Sequence, residues 1–380
     1  NQVRVTGTVV EYVPTTDPDQ PPLTEIGGNP SIALLSTNNP LPTPVVLSAT
    51  FPDPSGPLEQ LERVEGMRVT VPSLTVVAPT EGNTNESSAT GTTTGILHAV
   101  VTGVPRPMRE PGIQAPNPPP AGSSIPPIPR WDFNPELMTI DSDSLGGPSY
   151  VLDLSAGTVI EGLTGPMDFG FRRYTIHRDP TAAIVVSGGI TPTPVRAPTF
   201  DEFTVAAYNM ERFFDTTNDP AIGEPVLTAA AFANRLGKAS LAIRDYLRLP
   251  DILLVVEMEN LTTLQAVAAR VNADAAAAGM LNPQYVAYLQ EGNDVGGIDV
   301  GFLVKTREVD TGIPRVQVMA VTQQGKDTTW VEPSGSVSLL NDRPPLVLDA
   351  VVHYPTDREP DPITVIGVHQ RSLNDVDSTE

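Results

Sequence analysis

The sequence predicts an α+β protein in two parts: a β-rich, barrel-like region over residues 1–197, and stacked sheets with helices outside them over 198–380. Three observations carry this. Before residue 197, short apolar runs recur between clusters of Pro, Gly, Asn and Asp, the spacing of a sandwich or small barrel. After Ala197-Pro198-Thr199 proline thins out and Ala-rich stretches at helical spacing begin. Those helical stretches fall early in the second half, and the later strands have no helices between them, which disfavours a single doubly wound sheet.

Composition bounds the reading. The 380 residues allow two or three domains, and 39% hydrophobic residues supply their cores. The 41 prolines, about twice average usage, make the chain loop-rich. A net charge of −22 repels polyanions from the average surface, so a nucleic-acid enzyme of this balance needs a local basic patch or bound cations. Without cysteine there is no disulfide, zinc–thiolate site or thiol nucleophile. No apolar run reaches 18 residues, so no membrane span is expected. The opening VRVTGTVVEYV has no start signal and no leader before it, and reads as a strand entered partway into a domain with any signal peptide already removed.

In the first half, strands are expected at 3–13, 31–35, 67–72, 74–78, 96–104, 150–154, 158–163 and 172–177, with one helical turn at 58–63. The phrases VRVTGTV (3–9) and MRVTVP (67–72) place small or polar residues at alternate positions, as the bent first strand of a five-stranded Greek-key barrel does. The Pro-rich stretch 105–129 cannot form a ladder, because proline lacks the donor. It reads as an excursion between strands of one β domain, with an interdomain linker as the alternative. Asp141-Ser142-Asp143-Ser144 lacks the carboxylate spacing of a calcium loop and reads as a solvated turn.

The second half opens on 203–215, FTVAAYNMERFFD, an alternating strand that ends on the polar pair Asn209 and Glu211. Helical spacing follows over 227–249, with Thr228 as N-cap and Pro250 as the stop. Then come a buried run at 252–256, a second helix at 261–278, and strands at 285–289, 300–305, 316–321, 345–353 and 363–369. No Gly-rich phosphate loop follows any strand.

Asn209, Glu257 and His369 stand at the ends of otherwise apolar strands, where sheets present chemistry. The amide and the carboxylate are hard oxygen ligands suited to Mg²⁺ or Mn²⁺, and histidine is the side chain that carries protons near neutral pH. The segments AAYNMERFFD, PDILLVVEMEN, GGIDVGFLVK, NDRPPLVLDAV and ITVIGVHQRS, in this order, resemble the successive signatures of the endonuclease/exonuclease/phosphatase superfamily, most closely exported nucleases related to pancreatic deoxyribonuclease. The resemblance covers 203–372, and the preceding region resembles the oligonucleotide/oligosaccharide-binding barrels found before such nuclease domains.

The resemblance implies a partial four-layer α/β/β/α sandwich and metal-dependent phosphodiester hydrolysis by a secreted bacterial enzyme, in some cases attached to the cell surface. Its substrate would be DNA or RNA and its cofactor Mg²⁺, with Mn²⁺ or Ca²⁺ as alternatives. Asn209 and Glu257 take the place of metal and phosphate ligands, and Arg343 that of a phosphate-contacting arginine. His369 corresponds to the first catalytic histidine, Asp299 is the candidate acid that orients it, and Glu259 reads as a solvated charge supporting the next helix. The family continues with Gly-Asp-x-Asn and Ser-Asp-His motifs that are missing here. The expectation is therefore a remaining C-terminal fragment as partner, or a truncated product, and no activity from this chain alone; a degenerate binding homologue is the third explanation. A phosphatase or phospholipase of the same superfamily and a non-catalytic surface or matrix-binding protein are the rival functions.

Overall fold

The computed structural model describes residues 1–16, 20–105, 134–220, 222–332 and 334–370, together with the backbone of 113–114 and 130–131. The chain is mostly β and forms two compact units, Asn1–Asn83 with Gly91–Thr191, and Thr84–Thr90 with Pro192–Glu380. No helix among the described residues is long and apolar enough to cross a membrane. Most of the Pro-rich stretch 105–129 and the tail beyond residue 370 lie outside the described residues.

In the first unit, among the described residues, β1 (Gln2–Tyr12) and β2 (Leu23–Ser36) pair only with each other, as an exposed antiparallel ribbon. The expectation that 3–13 imitates a first barrel strand fails, because Val3, Val5 and Val9 face Leu34, Ile32 and Ile26 across this ribbon instead of a core. Five strands close the barrel: β3 (Arg68–Ala78), β4 (Ile96–Val101), β5 (Met138–Asp141), β6 (Thr158–Gly170) and β7 (Arg173–His177). The cyclic order is β3-β4-β5-β7-β6-β3, with only the β5/β7 pairing parallel.

The first barrel strand is bent. Arg68–Thr75 pairs with β6, and from Leu74 onward the strand pairs with β4, so one strand serves both halves of the barrel. Val69, Val71, Leu74 and Val76 point into a core completed by Leu97, Ile140, Leu163, Phe169 and Ile176. Closure depends on Gly165, where a Cβ would lie 1.8 Å from the His177 carbonyl oxygen, so only glycine lets the two strands approach. The stretch expected as a strand at 150–154 is a 3₁₀ turn, Ser149–Leu152. At 141–144 the Asp141 carboxylate accepts the amides of Asp143 and Ser144, a self-satisfied turn.

The second unit is built on a four-stranded sheet, β8 (Val205–Phe213), β9 (Ile252–Met258), β11 (Asp299–Lys305) and β10 (Tyr285–Leu289), in that spatial order. Helices α1 (Ala229–Leu241) and α2 (Leu261–Ala277) cover one face, packing Ala239, Leu264, Val267 and Val271 on Leu253, Val255 and Leu303. Their N-caps are Thr228, which accepts from the Ala231 amide at 3.2 Å, and Asn260, which accepts from the Thr263 amide at 2.8 Å. The other face packs Ile252, Val300, Phe302 and Val304 against a three-stranded sheet of β12 (Val316–Gln323), β15 (Leu346–Val352) and β16 (Asp361–Gly367). Covered on both faces, β9 and β11 are therefore continuous apolar runs in the sequence. Between β12 and β15 a separate hairpin, β13 (Thr329–Val331) and β14 (Val337–Leu339), extends from the sheet.

Candidate functional site

Two irregularities at one end of the four-stranded sheet create the site. β8 and β9 run in parallel register as far as Asn209 opposite Val256, and resume at Phe213 opposite Met258. The extra residues of β8 include Glu211 and Arg212, both in the left-handed region at φ 57° and 50°. On its other side β9 pairs Val256 with Val300 and Met258 with Asp299, leaving Glu257 as a bulge residue at φ 63°. A glycine would sit there without strain, whereas a glutamate costs about 1–2 kcal/mol.

The bulge aims Glu257 at Asn209. Glu257 Oε1 accepts from Asn209 Nδ2 at 2.8 Å, and Oε2 accepts from the Arg212 amide at 2.9 Å. Asn209 Oδ1 accepts from the Glu211 amide at 2.8 Å, which fixes the NH₂ toward the carboxylate. From α1, the Arg235 guanidinium donates to the carbonyls of Met210, Glu211 and Arg212 while lying 4.8 Å from the Phe213 ring centre. It clamps the irregular segment of β8.

The second sheet supplies the cationic and imidazole groups. Leu346 pairs with Gly367, so the residues before β15 and after β16 emerge together: Arg343 from one, His369 from the other. Gly367 brings β16 close to the first sheet, where a Cβ would come within 2.5 Å of Leu254. His369 Nδ1 lies 3.3 Å from Arg343 Nη1, and Nε2 lies 3.6 Å from Glu257 Oε1. A guanidinium can only donate, so Nδ1 is the acceptor and the neutral ring carries its proton on Nε2. Burial, and then the Arg343 charge, hold the His369 pKa below the usual imidazole value. At neutral pH the ring is thus an uncharged N–H donor facing the carboxylate.

Asn209, Glu257, His369 and Arg343 therefore form one connected chain of side chains. Asp299 takes another place. Its carboxylate accepts from the Gly292 amide at 2.6 Å, and burial followed by a shared hydrogen bond with Glu291 raises its pKa to about 7. The acid acting on His369 from this loop is Asp294, whose Oδ2 lies 3.7 Å from Arg343 Nε. Nor is Glu259 solvated: it is only 4% exposed, accepts from the Asp215 amide and the Thr263 hydroxyl, and burial raises its pKa to about 7.

Beside His369 and Arg343 opens a cleft of about 480 Å³, lined also by Trp330, Leu340, Asn341 and Gln370. Among the described residues, no three His, Cys, Asp or Glu side chains group as a metal cage. The donors fit an ion such as Mg²⁺, which takes one or two carboxylates and keeps several waters. Glu257 fits that role, since each carboxylate oxygen retains a lone pair beyond its one N–H bond. Asn209 shows the carboxylate its NH₂, so in this arrangement it holds Glu257 in place.

Sequence reading missed Asp294 and Arg235. Asp294 stands in an unpatterned loop, EGNDVGG, with no periodicity to mark it. Arg235 did carry a signal, a charge between Phe232 and Leu236 on the apolar side of α1.

Comparison with known proteins finds one family match. Residues 48–187, which contain the whole barrel, match a domain of unknown function (DUF8508). Neither the curated proteins nor the solved structures return a match.

Proposed function

We propose that the second unit is a metal-dependent phosphodiester hydrolase of the endonuclease/exonuclease/phosphatase type, built on an α/β/β/α plan and acting on nucleic acid outside the cell. The barrel is proposed as an oligonucleotide/oligosaccharide-binding module that assists in holding substrate. The observation that carries the reading is Glu257. A glutamate held in left-handed conformation at a strand bulge and joined to Asn209, His369 and Arg343 is backbone strain kept beside a cleft, where strain marks function.

In this reading Mg²⁺, when bound, polarises the scissile phosphate and neutralises charge on the leaving oxygen. Glu257 and Asn209 would hold it, Asn209 by fixing the carboxylate. Arg343 donates to a nonbridging phosphoryl oxygen, with Asp294 setting the direction of its guanidinium. His369 donates Nε2–H to the same developing charge. Its depressed pKa lets it do so as a neutral donor that does not compete with a cation for Glu257.

The test is nicking of supercoiled plasmid by the full-length gene product. Cleavage should require Mg²⁺ or Mn²⁺, stop on chelation, and fall by orders of magnitude in Glu257→Gln and His369→Ala. Cleavage by Glu257→Gln at the parent rate would remove the basis of the proposal.

A further inference from the structure

The hairpin β13–β14 has no part in either core, yet it is built with care. Asn293 Nδ2 donates to the carbonyls of Lys326 and Asn341, Asn341 Nδ2 donates to the Gly325 carbonyl, and Lys326 Nζ reaches the Glu291 carbonyl, which fastens the base. At the far end Glu332 accepts from the Ser336 and Ser338 hydroxyls. Held at both ends, the hairpin presents Trp330 opposite Ser338, 41% exposed, in the wall of the cleft that contains Arg343 and His369. A tryptophan exposed on a fastened element beside a polar cleft is a ready contact surface at low entropic cost.

The surrounding chemistry narrows the occupant. Of the ten described residues lining the cleft, Arg343 alone is a permanent cation, while Asp342 is anionic and the chain carries −22. Without a bound metal, these described residues hold phosphate mainly through Arg343, so the uncharged part of the substrate has affinity to supply. The hairpin carries no Lys or Arg, which disfavours an anionic lipid surface. What remains is a flat π-face with amides nearby, Asn341 and Gln370, which suit a nucleobase.

We infer that Trp330 is a stacking platform for an unpaired base next to the phosphate held by Arg343, so that the cleft takes single-stranded nucleic acid. This deepens the proposed hydrolase reading and rests on it.

The experiment measures equilibrium binding of the full chain, in chelator-containing buffer, to a short oligothymidylate and to an abasic strand of equal length. Intrinsic fluorescence reports stacking, with Trp330→Phe separating the contribution of the second tryptophan, Trp131. The parent should bind the base-bearing strand about 5- to 150-fold more tightly. Trp330→Ala should bring that ratio close to one, and Trp330→Phe should restore most of it. A ratio unchanged in Trp330→Ala, or a blue shift with phosphatidylcholine vesicles and none with the oligonucleotide, overturns the inference. Plasmid nicking by the full-length gene product carrying the same substitutions separates the two readings: Glu257-dependent cleavage with a Trp330-independent ratio sinks only the platform, and a Trp330-dependent ratio without cleavage sinks only the hydrolase.

Discussion

Replacing Glu257 by glycine or by alanine tests whether the site stores strain. Both substitutions remove the carboxylate and with it the bonds from Asn209 Nδ2 and the Arg212 amide. These donors lie at the surface and water replaces the lost acceptor, so the loss is about 0.5–1.5 kcal/mol for each bond and equal in the two variants. What differs is the backbone. At φ 63° alanine keeps the left-handed penalty of about 1–2 kcal/mol and glycine does not. In ordinary strand positions the order is the reverse, with glycine about 0.5–1 kcal/mol worse than alanine. Glu257→Gly should therefore be the more stable variant by about 1 kcal/mol, which for a unit of this size is about 2–4 °C in Tm. Differential scanning calorimetry of the three proteins reads this directly. A glycine variant that melts at or below the alanine variant would show that Glu257 is not strained, and would remove the main support for a functional site there.

Three further outcomes are expected. Asp251, 4% exposed, accepts from Lys305 Nζ and Arg315 Nη2, both at 3.0 Å; Asp251→Asn leaves both cations without a counter-charge and should cost about 3–5 kcal/mol in urea denaturation. Glu259, with its pKa raised to about 7, is protonated in the folded state and ionised in the unfolded one between roughly pH 4.5 and 7, so folding stability falls as pH rises through that window. Glu259→Gln mimics the protonated acid, and should match the parent near pH 5 and exceed it near pH 8; equal denaturation midpoints at both would refute the assignment. Gly165→Ala should prevent barrel closure, seen as lost amide-exchange protection in Arg68–Ala78 and Arg173–His177, because the added Cβ meets backbone that cannot yield.

In the second half the sequence by itself determined which strands are buried on both faces. The runs at 252–256 and 300–305 are apolar on both faces because each lies between two packed layers, and Thr228 caps its helix because the cap is a local bond between neighbours in the chain. Periodicity reports an apolar face without naming what, if anything, covers it. So 3–13 and 67–72 looked alike, although one pairs in an exposed ribbon and the other bends through a closed barrel. The four residues Met138–Asp141 were too short to show a period, yet they link β4 to β7. At the site, sequence marked Asn209, Glu257 and His369 because polar residues stand at the ends of apolar strands, and Arg343 through the family resemblance. Tertiary structure decided what each does. A left-handed glutamate has no glycine to announce it; its carboxylate is held by N–H donors from another strand. Likewise Asp294 faces Arg343 and His369 while Asp299 turns to the Gly292 amide, because the loop between them folds back on itself, and nothing in the spacing of two aspartates five residues apart records which way that loop will turn.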